Sequence, residues 1–216
     1  MKEHIVITGG CGFVGHSLGK VLAANHKVLS IDRINTGATD KGVDYLNLDI
    51  RKNLPEVKEF RKSTVIHTAA VMNAADTNDF WRVNVIGTKN VLDWAIKHNA
   101  KHLILISSGS VYGYTKNRFM KESDPLNPIG AYGYTKWLGE NISQMYYQLN
   151  DLPVTILRLY FPYGPGQEKG IFQLIVQSIK NKKPLTIKKN GSPNFRPLYI
   201  DDLISAVVKI IKKYLH

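Results

Sequence analysis

Tyr132 and Lys136 stand four residues apart in the segment Ala131-Tyr-Gly-Tyr-Thr-Lys136. If that segment opens a helix, the spacing brings both side chains to one face. An ammonium beside a phenol stabilises tyrosinate and draws the phenol down from about 10 toward working pH, which makes Tyr132 usable as a proton donor or acceptor. Such a spacing recurs by chance, so a third group is needed. Ser108 supplies a hydroxyl at the C-terminal end of an apolar, β-branched run, and in an open α/β sheet that end of the strands is where ligands bind. Ser107 and Ser108 could also be a polar strand end facing water, so their neighbours must decide.

Those neighbours include Thr8-Gly-Gly-Cys-Gly-Phe-Val-Gly15, which follows the first apolar run directly and places glycines at Gly9, Gly12 and Gly15. A sharp turn, a close backbone approach to a pyrophosphate and a helix whose free N–H groups face the anion all require glycine there. Asp32 closes the next apolar run, at the distance from the glycines where a carboxylate accepts from the adenosine ribose. A carboxylate repels a 2′-phosphate, so the pattern favours NAD over NADP, with the adjacent Arg33 as the residue that could oppose this. Cys11 is the single cysteine. A small side chain tolerated beside crowded backbone accounts for it better than a reactive thiol does.

Positioning these groups requires alternating strands and helices. His4–Thr8, Lys27–Asp32, Val43–Leu48, Thr64–Thr68, Lys101–Ser107 and Pro153–Arg158 read as six strands. Segments near Phe13–Asn25, Asp79–Asn99 and Ala131–Leu149 have helical period, with Trp81, Val85, Leu92 and Ile96 on one side of the second. This predicts an α/β fold: a doubly wound parallel Rossmann sheet with helices on both faces. After Tyr160 the alternation loosens into a Pro- and Gly-rich loop, a helix to about Asn181, a short strand near Leu185–Ile187, a loop over Lys189–Pro197 and a strand at Leu198–Ile200. A final helix runs to about Tyr214, with Asp201 and Asp202 as its cap. The expected division is 1–159 for the cofactor, 160–197 for a small, shortened substrate-binding region, and 198–216 for a strand and helix returning to the first domain.

The net charge of +12 raises the question of nucleic acid, but the excess is late: residues Lys169 to His216 hold ten Lys or Arg against two Asp. That stretch lacks the aromatic interleaving and zinc spacing of a nucleic-acid module, and a positive field also suits a phosphate-bearing small substrate. No apolar run is long enough to span a membrane, no leader precedes the first strand, and one cysteine excludes an internal disulfide and any thiolate zinc cluster. A cytoplasmic protein is expected, without metal.

Together these segments resemble the extended short-chain dehydrogenase/reductase family, in particular its NAD-dependent epimerase/dehydratase group acting on nucleotide sugars. The matching pieces run in order along nearly the whole chain: the glycine segment, Asp32, Leu48-Asp-Ile50, His67-Thr-Ala-Ala70, Asn84-Val-Ile-Gly-Thr88, Ser107-Ser-Gly-Ser-Val-Tyr-Gly113, Tyr132 to Lys136, Leu157-Arg158, Tyr163-Gly-Pro-Gly-Gln167 and Tyr199-Ile-Asp-Asp202. The resemblance implies that Phe13 and Val14 belong to the cofactor loop and that Asp49 and Ile50 contact the adenine. It further implies that Ala69 and Ala70 line the cofactor channel, that Lys136 also holds the nicotinamide ribose, and that Ser108 hydrogen-bonds the substrate oxygen. Ser110, Phe161 and Arg196 fall at substrate-side positions. There the chain departs from the family: Phe161 stands where Asn is common, and Arg196 lies three rather than four residues before Tyr199. On a strand, that single step reverses the face.

The residues after Ser108 discriminate among the family's reactions. The 4,6-dehydratases need a carboxylate pair there and the decarboxylating members a Glu at the place of Ser110, whereas this chain has Gly109 and Ser110. What remains is reversible hydride transfer at a carbinol carbon, with Tyr132 taking the hydroxyl proton. A 4-epimerase of a nucleotide sugar is expected first, a dehydrogenase or ketoreductase second, and a non-catalytic NAD-binding regulator third. Family chains are usually longer, which makes this sequence a minimal member, a truncated one, or one completed by a partner. Aromatic residues Trp94, Trp137, Tyr146 and Tyr147, beyond one inward stripe on the two long helices, predict a homodimer through them.

Overall fold

A computed structural model describes residues 3–34, 40–114, 120–185 and 196–214. Six strands, β1 (His4–Thr8), β2 (Lys27–Asp32), β3 (Val43–Asn47), β4 (Thr64–His67), β5 (His102–Ser108) and β6 (Val154–Leu159), form one sheet in the order β3-β2-β1-β4-β5-β6. All five pairings are parallel. This is the doubly wound order, and its direction reverses between β1 and β4, which opens a crevice at their carboxyl ends.

The strands are β-branched runs because a parallel sheet covered on both sides buries both faces of each strand. Side chains alternate. Ile5 and Ile7 join Ile66, Ile104 and Ile106 on one face, beneath Leu18 and Leu22 of α1 (Phe13–Leu22) and Leu203, Val207 and Ile211 of α5 (Ile200–Lys213). Val6, Val65, Leu103 and Leu105 face the other way, against Val91, Leu92 and Trp94 of α2 (Thr88–Lys97) and Tyr146 of α3 (Gly130–Asn150). Beyond β6 the chain forms β7 (Pro162–Tyr163), the exposed helix α4 (Ile171–Lys180), and β8 (Leu198–Tyr199), which pairs in parallel with β7. Of the strand expected near 185–187 only Leu185 is described, outside any strand, and most of the loop expected over 189–197 lies outside the described residues.

Three expectations are corrected. The helix expected over 79–99 is two pieces, because Phe80–Gly87 winds as a π-helix before α2 begins. The wider turn moves the inward stripe to Val83, Asn84 and Gly87 and leaves Trp81 51% exposed. Asp201 and Asp202 do not cap α5. Tyr199 holds the cap position without a side-chain bond, and the two carboxylates sit in the first turn, where they oppose the helix dipole. Trp94 and Tyr146 are not spare surface either: Trp94 is 4% exposed with its indole N–H on the Pro55 carbonyl at 2.8 Å, and the Tyr146 hydroxyl bonds Asp93.

Candidate active site

The glycine loop crosses the carboxyl end of β1. Gly9 is held at φ +75° and donates to the Ile31 carbonyl at 2.8 Å, and Gly12 N–H returns to the Gly9 carbonyl at 3.0 Å. A Cβ on Gly15 would lie 2.3 Å from the Gly9 oxygen, and one on Gly9 would lie 2.6 Å from the Ala69 backbone, so helix α1 and the strand end after β4 press directly on the loop. Gly10, absent from the expected set, is as confined, since a Cβ would fall 1.9 Å from Ser30 Oγ. Gly12, exposed, caps α1 with no side-chain bond, so the first-turn N–H groups face the crevice as an anion-binding end. This cradle fits a dinucleotide pyrophosphate. Phe13 and Val14 pack partly into the core behind it.

Asp32 is aimed at the same loop. Its Oδ2 accepts from Cys11 N at 3.0 Å and its Oδ1 from Ile34 N at 3.1 Å, which fixes a carboxylate at the edge where ribose hydroxyls would come. Beside it opens a pocket of about 450 Å³ lined by Arg33, Ile34, Asn47, Leu48, Asp49, Arg51 and Lys52. Asp49 lies there, but Arg51 forks onto its carboxylate with contacts of 2.6–3.0 Å and holds it below the usual carboxylate range. The Ile50 side chain is 6% exposed and turned into the core, and its carbonyl accepts from Asn90. What Ile50 could offer an adenine is therefore backbone.

The expected catalytic residues meet at the end of β5. Ser108 ends the strand and caps a short 3₁₀ turn, Gly109–Tyr112, by accepting from Ser110 N at 3.2 Å. Tyr132, in the first turn of α3, has Ser108 as its hydrogen-bonding neighbour; burial pushes the phenol up and the Ser108 hydroxyl works against that. Lys136 is not among the groups opposing the rise, contrary to the expectation drawn from spacing. Its ammonium is 5% exposed and donates to the Ile106 carbonyl at 2.6 Å, and burial lowers it to about 8. Tyr134, two positions on along the helix, is 50% exposed.

On the substrate side, the Tyr160 ring lies against Gly109, where a Cβ would meet its carbons at 2.1–2.2 Å. Arg196 lies before β8 rather than in it, so strand alternation does not decide its direction. Its guanidinium sits 5.6 Å from the Tyr160 ring centroid. Ser110 Oγ is buried without a hydrogen-bond partner among the described residues. Phe161, 44% exposed, is held at φ +40°, a conformation that Asn accepts far more readily than an aromatic residue.

Sequence reasoning missed the supports beneath these groups. Buried Glu140 accepts from Ser107 Oγ and is forked by Arg158, whose Nη1 donates to the Tyr112 hydroxyl at 2.6 Å. The signal was available as spacing, because Glu140 follows Lys136 by four residues and Tyr132 by eight. Asn84, inside the π-helical turn, ties Val71 N and O to the Thr135 hydroxyl. His67, fully buried and lowered to about 3, lies between Thr8 and Thr88. Thr88 donates its own proton to the Asn84 carbonyl at 2.7 Å, so His67 carries its proton on Nε2 and accepts from Thr8 at Nδ1.

The sheet order, the glycine cradle and the Ser–Tyr–Lys cluster at the carboxyl end of β5 define a dinucleotide-binding α/β class. Residues 5–216 match the NAD dependent epimerase/dehydratase family, and the chain belongs to it. It is 32% identical over 218 residues to a putative UDP-glucose 4-epimerase of Methanocaldococcus jannaschii, covering 94% of this chain and 71% of that one. It is 29% identical to the dTDP-D-glucose 4,6-dehydratase of Dictyostelium discoideum, covering 98% of this chain and 56% of that one. Among solved structures, the UDP-glucuronic acid 4-epimerase of Bacillus cereus, in complex with UDP-glucuronic acid and NAD, superposes with a TM-score of 0.87 at 26% identity, covering 96% of this chain and 73% of that one.

Proposed function

We propose that the chain is an NAD-dependent 4-epimerase of a nucleotide sugar. The observation that carries this reading is the junction at the end of β5: Ser108, Tyr132 and Lys136 meet there, at the same carboxyl edge of the sheet as the glycine loop, while the Tyr160 ring fills the space over Gly109 that a dehydratase carboxylate would need. Relatives with both chemistries match the chain, and Gly109 and Ser110, which offer no carboxylate, favour the epimerase.

In this reading the first-turn N–H groups of α1 bind the pyrophosphate and Asp32 accepts from the adenosine ribose. Lys136 leaves or shares its Ile106 contact to reach the nicotinamide ribose. A bound NAD would supply a reversible hydride acceptor for the C4 carbinol carbon. Tyr132, whose phenol burial pushes up, returns to the keto oxygen in the reductive half the same proton it takes from the sugar hydroxyl in the oxidative half. In the oxidative half it must accept the sugar's proton as phenolate, which the Ser108 hydroxyl stabilises. We assign Arg196, beside Tyr160, to the substrate's diphosphate and buried Ser110 Oγ to a hydrogen bond with the substrate.

The assignment of 1–159 to cofactor, 160–197 to substrate and 198–216 to a returning strand and helix accompanies this reading. So does a homodimer through Trp81, Ile86, Met145, Tyr147 and Leu149, which leave apolar surface exposed along the π-helical segment and α3. Light scattering at micromolar concentration should give twice the chain mass. No helix among the described residues is long and apolar enough to cross a membrane, and we place the protein in the cytoplasm.

The test is a set of UDP-, GDP- and dTDP-sugars, followed for both NADH absorbance and sugar interconversion. Interconversion without net NADH is expected. Stoichiometric NADH accumulation would make the protein a dehydrogenase instead.

A further inference from the structure

Three successive residues of β5 are each fastened to α3. The Ile106 carbonyl accepts from Lys136, Ser107 Oγ donates to Glu140, and Ser108 meets Tyr132. Two of these rungs end in the proton-transfer pair. The third ends in a carboxylate that is 1% exposed and has no place in the chemistry described so far. A buried carboxylate persists only where it is paired and fully hydrogen-bonded. Glu140 is: Arg158, from β6, donates to it from Nε at 3.1 Å and from Nη2 at 2.8 Å. The far side of that guanidinium is fixed in turn by Tyr112 and by the Glu122 carbonyl at 3.2 Å.

We propose that Glu140 is a positioning residue of the active site: it locks α3 to β5 and β6 through Ser107 and Arg158, and it is the counter-charge that keeps buried Lys136 protonated one helical turn away. The groups facing Lys136 leave no other candidate among the described residues. From β4 comes His67, which is neutral because burial depresses it to about 3. From β5 come a carbonyl and hydroxyls, and from α3 the neutral phenol Tyr132. The remaining charge nearby is Arg158, of the same sign as Lys136. Burial lowers Lys136 to about 8 and Glu140 is the influence that raises it. Without Glu140 the ammonium would lose the influence that raises it and would give up its proton at still lower pH. The sign is therefore definite: losing Glu140 harms Lys136 more as pH rises.

This inference rests on the reading that Lys136 binds the cofactor ribose, so its test uses binding and stability rather than epimerisation. NAD affinity of Glu140→Gln, measured by calorimetry at pH 6.5 and 8.5, should fall at least tenfold further at pH 8.5 than at pH 6.5, each relative to wild type. A helix merely loosened by the change would lose affinity equally at both values, and that result, or no loss, overturns the proposal. If Glu140→Gln does not fold, Glu140→Gln/Arg158→Gln removes the stranded guanidinium and is measured in the same way. Independently, urea unfolding of Glu140→Gln, Lys136→Met and the double variant should be non-additive by more than tenfold in the unfolding constant, and additivity would refute the coupling. Wild-type protein that fails to bind NAD would refute the cofactor reading, while the unfolding cycle would still decide the role of Glu140.

Discussion

Gly15→Ala is the sharpest perturbation of the cofactor cradle. The new methyl would lie 2.3 Å from the Gly9 carbonyl oxygen and 2.9 Å from Gly10 Cα, both backbone atoms, and 2.8 Å from Thr68 Oγ1. Ordinary contact needs roughly 3.5 Å, so the loop must retreat by about 1 Å. Gly9 O also accepts from Gly12 N at 3.0 Å, so the start of α1 moves with it. Overpacking of this kind costs about 1–3 kcal/mol, a fall in Tm of roughly 2–12 °C for a chain of this size. A displacement of about 1 Å in a binding constellation can cost on the order of a hundredfold, here in NAD affinity by calorimetry. Gly12→Ala is the contrast: its Cβ meets only the Gly9 oxygen, at 3.2 Å, and Gly12 already has an ordinary extended backbone. It should scarcely change Tm yet weaken NAD, because its methyl enters the pyrophosphate space. Gly15→Ala with wild-type Tm and wild-type NAD affinity would refute the close approach on which the cradle argument depends.

Other outcomes follow from single residues. Phe161→Asn removes an aromatic side chain from φ +40° and should raise stability by about 1 kcal/mol, or roughly 2–4 °C in Tm; a drop of several degrees would mean that the ring's contacts outweigh its strain. His67 has its folded value depressed from 6.5 to about 3, so the stability it contributes is complete above pH 6.5 and is lost as pH falls toward 3. That loss is about 1.4 kcal/mol per pH unit in denaturant melts, and His67→Gln should flatten this part of the profile. Asp32 should make NAD bind more tightly than NADP by calorimetry, and the reverse order would hand control to Arg33.

The sheet was legible because its strands are apolar β-branched runs separated by glycine or helical period, and each of the six expected strands overlaps an observed one within a residue at either end. The glycine loop, Asp32 and the Ser108–Tyr132–Lys136 spacing were legible for a related reason, since each is a local pattern whose geometry follows from the backbone. What escaped was nonlocal. Periodicity assumes an α-helix, so it could not foresee the π-helical turn that rotates Trp81 outward and buries Asn84. Whether Trp94 and Tyr146 are surface or core depends on Pro55 and Asp93, which reach them from other segments or other helices. The partners of Glu140 lie on β5 and β6, and those of Lys136 include a carbonyl that no side-chain pattern encodes. For the same reason spacing does not give the direction of the phenol's shift: it places an ammonium near Tyr132, whereas burial and the Ile106 carbonyl decide what that ammonium does.

The most direct test compares Tyr132→Phe with Tyr134→Phe in the sugar-interconversion assay. Removing the Tyr132 hydroxyl keeps the ring but deletes the proton carrier, so turnover should fall by about a hundred- to ten-thousand-fold with NAD affinity nearly unchanged. Tyr134, half exposed and two positions on along the helix, should tolerate the same change within a few-fold of wild-type turnover. Abolished turnover in Tyr134→Phe alongside an active Tyr132→Phe would contradict the account at its centre.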